Sequence, residues 1–238
     1  MLPTILIGGK AVSTYWLMFL VGIGAMFALM LRRKQRFNIG TGKALAFTLG
    51  LSLCGLASVK LLYILENLQL VLENGLTLGG TSFFGAVFLV PLLMYPVGRL
   101  LSLKFGQTAD ASALCVLAMI GCMRVGCFLA GCCGGTEAQI CGLTFHWPTQ
   151  AVESLGDFAI LALLYEVEER GNRSGWLYPM FMIGYSILRF FVEFFRNTVK
   201  DWLGLGHGQW YAIVAIVVAL IWLRAADRKV RIDENETT

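Results

Sequence analysis

The sequence has few charged residues: Asp, Glu, Lys and Arg together make up 14% of its 238 residues. A soluble globular domain has about 25%, so the low value argues against that class. The chain also lacks the alternation of apolar and polar residues that indicates half-buried β-strands, because its apolar runs last about twenty residues. Histidine is scarce, with two residues, which limits the choice of ligands for a metal site.

Apolar residues make up 57% of the chain, and a membrane-spanning helix needs about 20 of them in a row. We therefore predict an all-α integral membrane protein that forms a single polytopic domain over residues 1–238. No cleavable signal peptide is evident, so the first run is expected to remain as a helix. The seven predicted spans are residues 11–31, 43–65, 82–103, 108–130, 149–165, 175–195 and 208–224, followed by a polar, frayed cytoplasmic tail over 225–238.

The net charge of +4 does not indicate nucleic-acid binding, because the basic residues lie in short clusters between apolar runs, as topology signals do. With the N-terminus outside, 13 of the 19 Lys and Arg residues lie inside and three outside. The positive-inside rule therefore predicts an N-out, C-in protein. The inner residues are Arg32, Arg33, Lys34, Arg36, Lys43, Arg99, Lys104, Arg170, Arg173, Arg224, Arg228, Lys229 and Arg231, and the outer ones are Lys10, Arg196 and Lys200.

We single out six charged residues within the predicted spans, where each costs at least about 2.5–3.5 kcal/mol and therefore needs a partner or a function. All except Asp157 fall in the outer halves of their helices under this topology. They would therefore meet a lipid phosphate, or a substrate arriving from outside. The six are Lys60, Arg124, Glu153, Asp157, Arg189 and Glu193.

Helical spacing groups these charges with other polar residues on shared helix faces. We expect the faces to converge on one polar cavity, although interhelical salt bridges that only fix the packing remain an alternative. The faces are Tyr185, Arg189, Glu193 and Arg196; Gln150, Glu153 and Asp157; Gly121, Arg124 and Cys127; and Lys60 with Tyr63.

Four of the seven cysteines, Cys127, Cys132, Cys133 and Cys141, lie in one short segment. A metal site, a redox centre and a disulfide of Cys132 or Cys133 with Cys141 are alternatives to plain packing of small residues beside glycines. The spacing is not that of paired Cys-x-x-Cys ligands, and adjacent cysteines are expected to ligate one ion poorly. We therefore predict no metal and no cofactor.

Both histidines fall in predicted outer loops. His146 is the better candidate for a functional role, because it precedes the face that carries Gln150 and Glu153. Histidine is a common proton-transfer residue, whereas His207 is expected to be solvated.

Four segments resemble the prolipoprotein diacylglyceryl transferase family. Gly79–Gly85 is similar to the family's Gly-Gly-x-Ser-Phe-His-Gly, and Arg124–Gly131 to its Arg-x-Gly-Asn-Phe-x-Asn-Gly. Pro148–Glu153 is similar to Pro-Ser-Gln-x-x-Glu, and Gly184–Arg196 is the closest match. Lys60 with Tyr63 resembles an Arg-x-x-Tyr pattern, and the likeness runs in order from about Tyr15 to the seventh span.

The resemblance implies transfer of the diacylglyceryl group from phosphatidylglycerol to the lipobox cysteine of a prolipoprotein at the outer face of the bacterial cytoplasmic (inner) membrane. The implied partners are the phospholipid, the prolipoprotein signal peptide and the bilayer, with no nucleic acid. Arg124 and Arg189 would hold the phosphate and stabilise its departure. The expected catalytic residues are Arg124, Arg189, Glu193 and His146. The expected substrate-binding residues are Arg124, Arg189, Tyr15, Lys60, Tyr63, Glu153, Gln150, Cys127, Gly131, Tyr185 and Arg196.

The sequence also departs from the family pattern. Phe84 stands where the family has histidine, Cys127 and Ala130 replace two asparagines, and Trp147 replaces another histidine. Cys132 and Cys133 follow where the family pattern is acidic. The base is therefore open: His146 or Glu193 could serve, arginines could activate the thiol, or the acceptor could differ. The alternative functions are a non-catalytic lipid-binding or assembly protein of the same fold, and a membrane thiol–disulfide protein.

Overall fold

The computed structural model describes residues 3–236 except 8, 76–79, 81, 141, 142, 172, 199 and 201. Most of the described residues are helical, and short 3-10 turns cover Glu193–Phe195 and Trp202–Gly204. Two antiparallel hairpins pair β1 (Thr4–Ile7) with β2 (Lys10–Ser13), and β3 (Glu137–Ile140) with β4 (Leu143–His146). The helices are α1 (Thr14–Arg33), α2 (Thr41–Glu66), α3 (Leu68–Asn74), α4 (Phe84–Leu100), α5 (Phe105–Ala130), α6 (Thr149–Glu169), α7 (Leu177–Val192) and α8 (His207–Glu236).

Five helical segments are long and apolar enough to cross a membrane, and they come from α1, α2, α5, α7 and α8. Helix α4 is apolar but has 17 residues, and α6 carries five acidic residues among its 21. The chain is thus a mostly helical protein with five candidate membrane spans. A helix also lies at each of the seven segments that the sequence predicts as spans.

The structure differs from the sequence-based expectations at several chain ends and loops. The two hairpins were not expected, because four-residue strands are too short for an alternating pattern to stand out. Helix α1 begins at Thr14 rather than residue 11, since β2 precedes it. Helix α8 continues to Glu236 instead of ending at 224, because residues 209–236 contain no glycine or proline to stop it.

Helix α5 lies at the centre of the protein and packs against α1, α4, α6 and α7. It is buried along most of its length, and small residues allow the neighbouring helices to approach closely. A side-chain carbon at Gly121 would stand 3.0 Å from the Phe158 ring of α6. By contrast, α1, α2 and α8 expose large apolar side chains such as Leu53 and Ile221, as helices facing lipid do. Helix α5 is therefore held by four neighbouring helices.

A buried ion network holds the opposite end of the helix bundle together. Arg33 donates from Nε to Glu168 of α6 at 2.6 Å and from Nη2 to the Asp110 carbonyl at 2.8 Å. The Asp110 carboxylate accepts the backbone N–H groups of Gly175 at 2.5 Å and Leu177 at 2.9 Å, at the start of α7. The sequence reading placed Arg33 in a loop, but it is 2% exposed and joins α1, α5 and α6.

Candidate active site

Three arginines surround one buried glutamate where α5, α6 and α7 meet. Arg124 of α5 faces Glu153 of α6 through Nε, and Arg189 of α7 pairs with the other carboxylate oxygen. Arg196 approaches that second oxygen at 3.4 Å. Glu193 pairs with Arg189 at 2.9 Å and lies 3.8 Å from Arg196. We call these five residues the arginine cluster.

The local backbone places Arg196 in this cluster. Helix α7 ends at Val192 and gives way to a 3-10 turn, after which Arg196 is extended, with φ −93° and ψ 147°. Backbone hydrogen bonding then fixes the chain, since the Thr136 N–H donates to the Phe195 carbonyl at 2.8 Å. Spacing alone grouped Arg196 with the α7 face, but the turn is what returns its side chain to Glu153.

Several buried polar groups in and beside the cluster have no hydrogen-bond partner among the described residues, and two of them could contact a ligand. These two are the carboxylate of Asp157, one turn after Glu153, and the hydroxyl of Tyr185. Asp157 is 0% exposed and Tyr185 3%. Leaving such groups unpaired costs about 1–3 kcal/mol each. A polar ligand bound here would give them the hydrogen bonds that they lose when they are buried away from water.

An apolar cavity of about 650 Å³ lies next to the arginine cluster, between α1, α2, α4 and α5. The Phe83 ring separates the two, because it lines the cavity and also lies 4.6 Å from the Arg124 guanidinium carbon. Tyr15 and Lys60 line the same cavity. The Lys60 ammonium lies 3.4 Å from the Gly80 carbonyl and 5.1 Å from the Tyr63 ring. Lys60 is therefore placed at the cavity, with Tyr63 beside it, rather than around Glu153.

Three cysteines converge at the end of α5, and we call Cys127, Cys132 and Cys133 the thiol cluster. Their sulfur atoms all lie within 4.8 Å of one another. The chain turns back on itself at Gly131, with φ 73°, and Cys133, with φ 61°, and this turn brings the two adjacent cysteines close to Cys127. The six described cysteines are free, and Cys141, the expected disulfide partner, lies outside the described residues.

The thiol cluster is electrostatically linked to the arginine cluster. Hydrogen bonds with Cys127 and Cys132, together with the nearby charges of Arg124 and Arg196, lower the pKa of Cys133 to about 5. These contacts favour the thiolate form of Cys133 over the thiol.

Most of the predicted site residues lie on the elements that form these two clusters. Gln150 donates from its amide to the Cys132 carbonyl at 2.5 Å, and Gly131 ends α5 in the left-handed conformation. His146 does not join them. It is exposed at the end of β4, opposite Glu137, and within the described part of the chain it makes no hydrogen bond or ion pair to either cluster. The sequence did not predict a role for Phe83. Nothing in the residues around it indicates that the Arg124 guanidinium lies over its ring.

Phe84, which stands at the family's histidine position, is buried among aromatic rings. Its centroid lies 5.7 Å from that of Tyr185 and 5.6 Å from that of Tyr211. The Phe84 ring thus lies beside the Tyr185 ring, but it supplies no proton acceptor. Gly79 and Thr81 of the same segment lie outside the described residues.

A family model described as prolipoprotein diacylglyceryl transferase matches residues 3–225. The chain is 28% identical over 229 residues to phosphatidylglycerol–prolipoprotein diacylglyceryl transferase 2 of Clostridium perfringens, covering 86% of this chain and 88% of the relative. It is 30% identical over 250 residues to the phosphatidylglycerol–prolipoprotein diacylglyceryl transferase of Nitrosomonas europaea, covering 94% of this chain and 90% of the relative. The resemblance seen in the motifs is confirmed, and the chain belongs to the prolipoprotein diacylglyceryl transferase family.

Proposed function

We propose that this protein transfers the diacylglyceryl group of phosphatidylglycerol to the lipobox cysteine of prolipoproteins. In this reaction the acceptor sulfur bonds to the CH₂ carbon of the diacylglyceryl group, the carbon–oxygen bond to phosphate breaks, and glycerol phosphate leaves. The observation that carries the proposal is a buried cluster of arginines beside an apolar cavity, in a chain of this family.

The charge of the arginine cluster suits a phosphodiester. Its three guanidinium groups are in contact with two carboxylates, Glu153 and Glu193, so these five residues together carry one net positive charge, and phosphatidylglycerol carries one negative charge. Guanidinium groups present paired N–H donors that match phosphate oxygens and stay charged. Arg124 and Arg189 would therefore hold the phosphate and stabilise the charge that grows on the leaving group.

The cavity suits the apolar part of the same lipid. Its lining comes mainly from apolar side chains such as Phe19, Val90 and Met123, and its volume of about 650 Å³ is in the range of small-molecule sites. Because Phe83 contacts both the cavity and Arg124, a lipid with its head group on the arginines would place its acyl chains here.

The membrane arrangement that we propose has seven spans, with the N-terminus outside, the C-terminal tail in the cytoplasm and the arginine cluster facing the extracytoplasmic side of the bacterial cytoplasmic membrane. Helices α4 and α6 would be the two spans added to the five long apolar helices. Support comes from the 13-to-3 distribution of basic residues. A green fluorescent protein fused after Thr238 should fluoresce, and a fused alkaline phosphatase should be inactive; the reverse result would contradict this orientation.

The activity can be tested with purified protein, phosphatidylglycerol vesicles and a peptide that carries a lipobox cysteine. We expect a thioether-linked diacylglyceryl peptide in the mass spectrum and at least a 10²-fold loss of rate, roughly that of losing one charge-stabilising donor, in Arg124→Ala and in Arg189→Ala. Arg170→Ala is the matched control, because Arg170 pairs with Glu166 on the exposed surface. Absence of the thioether, or full activity in both variants, would refute the proposal.

A further inference from the structure

The sulfur atoms of the thiol cluster are close to the spacing of a metal site. A Zn²⁺ ion binds thiolate sulfur at about 2.3 Å with tetrahedral angles, which puts neighbouring sulfurs about 3.8 Å apart. In the protein all three sulfurs lie within 4.8 Å of one another. Movements of about an ångström, within the reach of χ1 adjustments, would bring Cys127, Cys132 and Cys133 onto one ion.

The backbone that carries these sulfurs is held from several sides. The Cys132 N–H donates to the Cys127 carbonyl at 3.1 Å, which closes the turn after α5. From α6, Gln150 donates to the Cys132 carbonyl at 2.5 Å, and the Thr149 hydroxyl donates to the Cys133 carbonyl at 3.3 Å. A framework fixed in this way preorganises the ligands before an ion arrives.

The site has a closed side and an open side. Cys127 is 3% exposed in the last turn of α5, whereas Cys132 and Cys133 are exposed. Three protein ligands with a free fourth position are the pattern of catalytic zinc sites, while structural sites use four protein ligands. Arg124 lies one turn before Cys127 on the same helix, so its positive charge is close to the thiolates.

We propose that the thiol cluster binds one Zn²⁺ ion, and that the fourth position of this ion takes the thiol of the acceptor peptide. The second part rests on the proposed function. On binding, the acceptor S–H bond breaks, its proton passes to water and its sulfur bonds to zinc; a thiol coordinated to zinc is deprotonated outright. That sulfur then attacks the diacylglyceryl carbon, the carbon–oxygen bond breaks with its electron pair going to the glycerol phosphate, and the zinc–sulfur bond to the acceptor is released.

This site would activate the acceptor thiol, for which Phe84 and the aromatic rings around it offer no proton acceptor. It lies beside Arg124, so the activated sulfur and the phosphate held by the arginine cluster would be neighbours. Zinc fits better than Cu⁺, because three thiolates complete a trigonal Cu⁺ site and leave no position for an acceptor, and because the transfer involves no change of oxidation state.

Metal binding can be measured without any transfer reaction. The full-length protein in detergent would be reduced, stripped with a chelator and titrated with Co²⁺ as a spectroscopic probe, then with Zn²⁺ in competition. We expect one ion per chain, absorption bands of tetrahedral cobalt with thiolate ligands, and binding more than about 100-fold weaker in Cys132→Ser and Cys133→Ser, since even outer-shell changes cost 10–100-fold. Cys54→Ser, in α2, is the matched control and should bind as the unchanged protein does.

Several results would overturn the metal site. They are less than one ion per chain, equal affinity in the cysteine variants and the control, a preference for Cu⁺ held by three sulfurs, or a disulfide within the thiol cluster in protein isolated from cells. Because Cys132 and Cys133 are exposed, their serine variants should fold, and an unchanged circular dichroism spectrum would verify this.

The acceptor role has its own measurement. Adding the lipobox peptide to the Co²⁺-loaded protein should shift the cobalt bands, whereas a peptide with serine in place of cysteine should not. An unchanged spectrum with the cysteine peptide would overturn the acceptor role. A shifted spectrum without any thioether product would instead count against the proposed function and support the site.

Discussion

Replacing Glu153 with glutamine should strongly destabilise the protein, because this carboxylate is in contact with Arg124, Arg189 and Arg196. A charge-assisted hydrogen bond contributes about 1.5–3 kcal/mol, and breaking a buried ion pair costs about 3–5 kcal/mol because a charge is left uncompensated. The three contacts share one carboxylate and do not add, so we expect Glu153→Gln to lower the free energy of unfolding by about 3–5 kcal/mol.

The matched control lies on the same helix. Glu166 pairs with Arg170 at 3.0 Å, but both side chains are more than half exposed, so Glu166→Gln should cost no more than about 0.5 kcal/mol. Unfolding in mixed micelles of dodecyl maltoside and sodium dodecyl sulfate, followed by circular dichroism, measures both. Equal losses in Glu153→Gln and Glu166→Gln would refute the view that Glu153 organises a buried cluster.

A second buried glutamate of α6 separates stability from activity. Glu168 contacts Arg33 at 2.6 Å and Arg36 at 3.3 Å, so Glu168→Gln should also cost about 3–5 kcal/mol. It lies fifteen residues from Glu153, about 22 Å along the helix, and should leave the transfer rate per folded molecule unchanged. Loss of transfer in folded Glu168→Gln protein would contradict the assignment of the active site to the arginine cluster.

Three further changes test other parts of the structure. Gly85→Ala should lower the free energy of unfolding by about 1–3 kcal/mol, because the new methyl group would meet the Ser58 backbone. The control Gly24→Ala adds a methyl group that faces open space in α1 and should raise the free energy of unfolding by about 0.5–1 kcal/mol. Equal effects of the two changes in the same micelle titration would contradict the close approach of α4 to Ser58. Asp110→Ala should cost about 1–3 kcal/mol and speed hydrogen exchange in the first turn of α7, and unchanged exchange there would be the contrary result. Tyr185→Phe should change the free energy of unfolding by less than about 1 kcal/mol, since the Tyr185 hydroxyl has no partner among the described residues. It should slow transfer at least about tenfold, because we expect the hydroxyl to contact the substrate. An unchanged transfer rate would show that Tyr185 is not part of the active site.

The positions of the helices were predictable, because a run of about twenty apolar residues has few other stable forms. Their ends were less so. The strand Lys10–Ser13 takes the residues that the hydropathy pattern assigned to the first span, and α8 extends to Glu236. In both cases short polar or mixed segments follow local turn and hydrogen-bond geometry, which an average over apolar residues does not register.

The site was predictable where one helix carries it. Arg189 and Glu193 are four residues apart, so their pairing follows from the helical repeat alone, and the structure has it at 2.9 Å. The thiol cluster could not be predicted in this way, because its geometry depends on positive φ angles at Gly131 and Cys133. Arg33 was missed for a related reason: a basic residue at the end of a span has the pattern of a topology signal even when it is buried.

Helix α6 differs from the five apolar spans in the number and position of its charged residues. Its acidic residues lie near its two ends, with the apolar run Phe158–Tyr165 between them. That run is only about 12 Å long, so under the proposed topology the carboxylates of Glu153 and Glu168 reach into the hydrocarbon region, where an unpaired charge is costly. Their partners come from α5, α7 and α1. Under that topology helix α6 would be stable in the membrane only beside these neighbours, and the ion pairs of Glu153 would both join the helices and position the arginines.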